Sequence, residues 1–220
     1  MRLSRGLLAS VVAIAASAPI MAPQLLAFPY HAHIGASEVW SEAPLEPVAL
    51  ARVLTRRDAL IATSALARLP EPRHIFLTQG GWRWLWLANL NHDGFGLTRA
   101  PNETMIINRS NVATDRVYAS TTYGGMRASR TLSSVMAHET CHGMERHYFG
   151  VAIQFTISQQ VFEGYCDFVA QESSLTDADV AKLRAEHRDH PALPYYEGRR
   201  RVAKALAANG NNVTGLFEAN

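Results

Sequence analysis

Cysteine is scarce in this chain. Cys141 and Cys166 are the only two among 220 residues, which is too few for a disulfide framework. Charge is also sparse, at 18% of residues, and neither sign prevails in the body of the chain. Arg2 and Arg5 are the only charged residues in the first thirty. From His31 onward there are 19 basic residues (21 minus 2) and 19 acidic ones. A neutral body has no electrostatic footprint for nucleic acid, so no nucleic-acid partner is expected. Internal repeats are missing, which excludes solenoids, and no low-complexity tract occurs beyond the N-terminus. Apolar residues are plentiful, at 48%. That fraction supports a buried core and excludes a disordered chain or a coiled coil. At this length the chain makes one domain, or one domain with an appendage.

The long apolar run is confined to the N-terminus. Residues 6–30 carry no charge, and residues 7–20 are nearly all Leu, Val, Ala and Ile. Basic residues ahead of an apolar core describe a signal peptide or a signal anchor. Counted on to Phe28, the run reaches the ~20 residues that a span needs, with Pro19 and Pro23 kinking its far end. Ala16-Ser17-Ala18 fits a small-x-small cleavage site, but Pro19 would follow the scissile bond. That favours an uncleaved anchor, with a secreted, cleaved form as the alternative. Arg2 and Arg5 hold the near end cytoplasmic. Residues 1–30 are thus expected to contact the membrane, and residues 31–220 to form an exported domain facing the periplasm or exterior.

The periodicity of the remainder predicts an α+β domain. Residues 28–47 have no steady period and read as a linker or extended lead-in. Residues 47–69 are helical in pattern, stopped by Pro70 and Pro72. Residues 74–78, 104–108 and 116–123 read as strands, and Gly124-Gly125 breaks the last. Trp82 to Leu87 read as a buried helix turn and residues 91–94 as a turn. Helices follow over residues 131–148, 158–172, 176–186 and 195–208. The third opens on Thr-Asp-Ala-Asp, an N-cap pattern.

The chemistry is concentrated between Arg130 and Glu172. His138-Glu139-Thr140-Cys141-His142 is HExxH. On a helix, positions i and i+4 lie one above the other, so the two imidazoles converge on one point from one face. A zinc ion accepts neutral imidazole nitrogens there and keeps a position open for water. Glu139 borders the same point without being a ligand, placed to take a proton from that water. Glu163 opens a second motif, Glu163-Gly164-Tyr165-Cys166-Asp167. Glu163 and Asp167 are again four apart on one helix face. Glu163 is the expected third ligand. Asp167 is expected to accept a hydrogen bond from the non-ligating nitrogen of one histidine.

HETCH at 138–142 followed by EGYCD at 163–167 resembles the gluzincin group of zinc metallopeptidases, the thermolysin-like arrangement. The likeness covers about residues 130–172. It implies a zincin-like fold, with a small sheet beside the active-site helix (about 130–148), a ligand helix (about 158–172) and a mostly helical C-terminal half. It also implies His138, His142 and Glu163 as zinc ligands, Glu139 as the base and a peptide or protein substrate. Small membrane-tethered bacterial proteins of the group are similar along residues 162–173. A metzincin third histidine is missing, because His147 follows His142 too closely. The alternatives are a zinc hydrolase of a non-protein amide in the cell envelope, or a binding module in which zinc only braces two helices.

Gluzincins also use a side-chain donor to stabilise the tetrahedral oxyanion. Tyr195, Tyr196 and His147 are the candidates here. By the same likeness, residues 116–123 would pair with an extended substrate. Arg199-Arg200-Arg201 reads as a solvated helix face, and the Trp82, Trp84 and Trp86 cluster as core or membrane-facing packing. Cys141 and Cys166 each lie three positions after an expected ligand. They are expected to be either bridged or two small buried thiols.

Overall fold

The computed structural model describes residues 10, 17–100, 102–119 and 129–219. Its architecture is α+β, with a five-stranded mixed sheet, a small three-stranded sheet and a helical C-terminal half.

The larger sheet has the order β1-β2-β3-β5-β4. Strands β1 (Tyr30–Ile34) and β2 (Ser37–Ser41) form an antiparallel hairpin turning at Gly35 (φ +59°), a left-handed conformation that glycine adopts without strain. This corrects the expectation of a linker over residues 28–47. The buried positions of β2 are Ser37, Val39 and Ser41, so its alternation is real but not apolar. Cross-strand polar pairs and one stacked ring hold it. Glu38 meets His31 (2.5 Å) and His33 (2.6 Å), and Trp40 stacks on Phe76 at 4.7 Å. Helix α1 (Pro47–Ile61) returns the chain to β3 (Arg73–Leu77), parallel to β2. Strand β5 (Thr104–Ile107) pairs parallel to β3, and β4 (Gly96–Arg99) is the antiparallel edge.

The second sheet has the order β6-β7-β8, formed by Arg109–Asn111, Arg116–Tyr118 and Ser129–Thr131. The strand expected at 116–123 is therefore β7, and it is the middle strand. Both of its edges are already paired, so it has no backbone groups to offer an extended substrate. That expectation is corrected for residues 116–118. Residues 120–128, including Gly124-Gly125, lie outside the described residues.

Short helix α2 (Trp82–Leu87) buries Trp84 and Leu87 against the sheet. Helix α3 (Leu132–Phe149) carries HExxH, and its side chains are buried from Leu132 to Arg146. One core packs one side of it against β2, β3, β5 and α1, through Val39, Leu50, Ile75, Val135 and Met136. A second core lies among the helices, through Ala137, Met144, Val161, Tyr165 and Val202. The first turn of α3 is anchored by Asp115, which accepts from Ser133 N (2.7 Å) and Ser133 Oγ (2.8 Å). A carboxylate there complements the helix dipole.

After α4 (Ile153–Thr156), helix α5 (Gln159–Val169) carries the second motif. Helix α6 (Asp177–Ala185) begins with the expected cap, a capping box between Thr176 and Asp179. Helices α7 (Leu193–Ala208) and α8 (Val213–Glu218) complete the chain. No helix among the described residues is long and apolar enough to cross a membrane, and most of the apolar run at 7–20 lies outside them. From Ile20 the chain is bound to the body. Arg99 donates to Ile20 O (2.8 Å) and Arg83 to Leu26 O (2.8 Å).

Candidate metal centre

Helix α3 brings His138 and His142 to one face, and their Nε2 atoms lie 3.1 Å apart. Helix α5 brings Glu163 against them. Its Oε2 is 3.3 Å from His138 Nε2 and 3.4 Å from His142 Nε2. Three ligands at zinc distances of ~2.0–2.1 Å in a tetrahedron stand about 3.3 Å from one another. The observed spacing fits that geometry, and the three side chains form a group able to hold a metal ion.

The far nitrogens explain why three acceptors converge. His138 Nδ1 lies 2.9 Å from Asp167 Oδ1, and His142 Nδ1 lies 3.0 Å from Glu145 Oε2. Glu145 draws the His142 proton to Nδ1, so that Nε2 presents its lone pair inward, while Asp167 stands beside His138 as an ion-pair partner. Two imidazole nitrogens and a carboxylate oxygen facing one point repel unless a cation or protons lie between them. Asp167 is itself held by Arg130 (3.1 Å) and by Ser173 Oγ, which donates at 2.7 Å.

The electrostatics reflect this packing. Burial disfavours the charged form of His138, but Asp167 and Glu163 outweigh it and lift its pKa to about 9. His142 is likewise buried, yet Glu163 and Glu145 raise it well above the usual histidine range. Glu163 is pushed below the usual carboxylate range because the two histidines overcome its burial. Asp167 is lowered by Arg130 and His138, again against burial. Glu145 goes the other way. Its burial dominates and raises it to about 7, despite His142.

A cleft of about 540 Å³ opens over these groups. Gly96, Leu97 and Thr98 of edge strand β4 form one wall. Glu139, 6% exposed, lines the floor. Thr98 Oγ1 sits 3.1 Å from Glu139 Oε2 and 2.9 Å from its backbone oxygen. The opposite wall includes Phe162, Glu163, His190 and Tyr195. The Tyr195 hydroxyl accepts from Gln159 Nε2 at 3.3 Å. Burial, then Glu163 and Asp167, raises its pKa.

The structure thus brings His138, Glu139, His142, Glu163, Asp167 and Tyr195 around one cleft. It does not bring in Tyr196 or His147. Tyr196 donates to Asp177 Oδ1 at 2.6 Å and accepts from Arg200 at 2.8 Å, in a cluster with α6. His147 contacts Arg68 beside a different cavity. Neither lines the cleft, so both lose their place as oxyanion donors.

Four residues at the site were not singled out from sequence: Thr98, Arg130, Glu145 and His190. Glu145 had a usable signal, since it follows His142 by three and shares its helix face. Thr98 had none, because the fold alone lays β4 along α3. Cys141 and Cys166 are joined in a disulfide between α3 and α5, with Cα atoms 5.3 Å apart. The bridge lies against the site, with Cys166 Sγ 3.4 Å from His142 Nδ1.

No family model matches the chain, and no match is found among curated proteins or solved structures.

Proposed function

We propose that the protein is a metal-dependent hydrolase of the zincin class, using zinc held by His138, His142 and Glu163. Within that class the reading is narrower: a gluzincin-like metallopeptidase, exported and held at the membrane by its N-terminal segment. The observation that carries it is the triangle of Nε2, Nε2 and Oε2 atoms at 3.1–3.4 Å, with Glu139 beside it in an open cleft.

Zinc would supply Lewis acidity, lowering the pKa of a bound water and polarising the scissile carbonyl. The chain's own residues supply the rest. Glu139 accepts the proton of the attacking water and returns one to the leaving amine. Thr98 holds the Glu139 carboxylate in place. Tyr195 donates its hydroxyl proton toward the oxygen that becomes negative, as a preorganised dipole. The edge of β4, unpaired among the described residues, supplies the substrate contact that β7 cannot. An extended peptide laid along Gly96–Arg99 would add a strand to the sheet, satisfying backbone groups without side-chain specificity.

The test is Glu139→Gln in purified, zinc-loaded protein. The variant should bind zinc as the wild type does and lose on the order of 10²–10⁴ in turnover of a peptide library. Equal zinc content in wild type and His138→Ala would refute the metal site. Hydrolysis of envelope amides but not peptides would keep the hydrolase and replace the peptidase. A zinc-loaded wild type inert toward both leaves only a zinc-braced binding module.

A further inference from the structure

Residues 17–30 and helix α2 meet on one side of the sheet and leave large apolar side chains uncovered there. Met21 is 59% exposed, Leu25 61%, Trp82 57%, Trp86 45% and Leu90 70%. Trp82 and Trp86 are four apart and share a helix face. Arg83 binds the two segments together. It donates to Leu26 O and to Ala27 O (3.2 Å), and its guanidinium lies 4.7 Å from the Trp82 ring and 5.5 Å from Phe28. Its charge is taken up by Glu42 at 2.7 Å. A few such side chains standing singly would be ordinary, but a grouped aromatic and aliphatic face marks a contact surface.

We propose that this face rests on a lipid bilayer. The occupant follows from three observations. The uncharged apolar run of residues 6–20 joins the body here, where Arg99 holds Ile20 and Asn102 reaches Met21 O. Tryptophan is the side chain that favours the membrane–water interface, with an apolar body and a polar N–H. The segment from 17 to 30 has no charge and α2 has only the paired Arg83, so a charged protein partner finds nothing to match. Leu90 leads directly into Asn91, Asp93, Gly94 and Phe95 on the rim of the cleft. The same contact therefore sets one rim of the cleft beside the bilayer.

The test uses the full chain in phosphatidylcholine vesicles, with and without brominated acyl chains, and reads tryptophan emission. Hydrolysis plays no part in it, so its outcome is separate from that of the peptidase reading. The chain has four tryptophans, and Trp84 is fully buried. Brominated lipid should quench the wild type, and Trp82→Phe with Trp86→Phe should remove most of that quenching without changing the circular dichroism. Leu25→Glu and Leu90→Glu, at exposed positions, should weaken the quenching while both tryptophans remain. Quenching that survives the double tryptophan variant, or is missing in the wild type, overturns the proposal. If the double variant instead turns a dimer into a monomer with no lipid quenching, the face joins two copies and the bilayer reading fails.

Discussion

The hydrogen bond made by one ring nitrogen of an imidazole decides whether the other can present a lone pair to a metal. HExxH spacing brings His138 and His142 to one face, but spacing cannot say which tautomer each adopts. Glu145 decides it for His142, 3.0 Å from its Nδ1, and Asp167 stands 2.9 Å from the Nδ1 of His138 as an ion-pair partner. Asp167 was readable as the fourth residue after Glu163, whereas its pairing with Arg130 at 3.1 Å was not. Glu145 tests the idea directly. Glu145→Gln keeps the volume and an acceptor but removes the charge, so His142 becomes a weaker base. Zinc affinity is expected to fall ~10-fold or more, while the metal-free protein melts no earlier, since a buried carboxyl has been replaced by a neutral group. Competition with a chromogenic chelator measures the first, and a thermal melt the second. Unchanged affinity would remove Glu145 from the site. Tyr195 and Tyr196 show the limit at this scale. Adjacent helix residues point about 100° apart, so the motif LPYYEGRRR left open which ring enters the cleft.

At the scale of elements, the site depends on how closely α5 approaches α7. Gly164, next to the proposed ligand Glu163, sits where the helices cross. A Cβ there would lie 2.5 Å from Gly198 C and 2.7 Å from Gly198 O. Backbone cannot yield as a side chain can. Gly164→Ala should therefore cost ~1–3 kcal/mol, as overpacking does, and should weaken metal binding by moving Glu163. Denaturant unfolding and zinc titration of one preparation check both, and a variant as stable as wild type would contradict the crossing. Helices α1, α3, α5, α6 and α7 were legible because each has an apolar stripe, a cap or a stop. Strands β1, β2 and β4 were not. They are five residues or fewer, held by polar pairs and neighbouring strands rather than by a pattern of their own. The pairing of β7 on both edges is likewise a property of topology, invisible in its residues.

At the scale of the molecule, the two cores pin α3 between sheet and helices and bury its charged groups together. The consequence is linkage between protons and metal. In the metal-free fold the surrounding carboxylates outweigh burial, lifting His138 to about 9 and His142 well above the usual histidine range, so the pair holds protons at pH 7. As zinc ligands both must be neutral. Zinc uptake at pH 7 should therefore release protons, seen in calorimetry as a binding enthalpy that changes with the ionisation enthalpy of the buffer. A buffer-independent enthalpy would show that the histidines are already neutral. The same shift acts on stability. Because the folded pKa of His138 exceeds the ordinary histidine value of 6.5, its contribution to the metal-free fold is full below pH 6.5 and is lost as pH rises through about 9.

The sequence by itself determined the helical frame, the α+β class, and the His-Glu-His and Glu-Asp spacings, because those are local periodicities that a helix converts directly into shared faces. It also placed Arg2, Arg5 and the apolar run side by side, since that is a linear pattern. Only the tertiary structure decided that α3 and α5 close on one point, that Cys141 and Cys166 bridge them, and that Tyr195 alone of three candidates faces the cleft. Which strand lies at the sheet edge along the cleft, and which tryptophans are left outside the core, were decided there too. These are long-range contacts, set by how the two cores pack around a buried polar helix, and no single segment contains them.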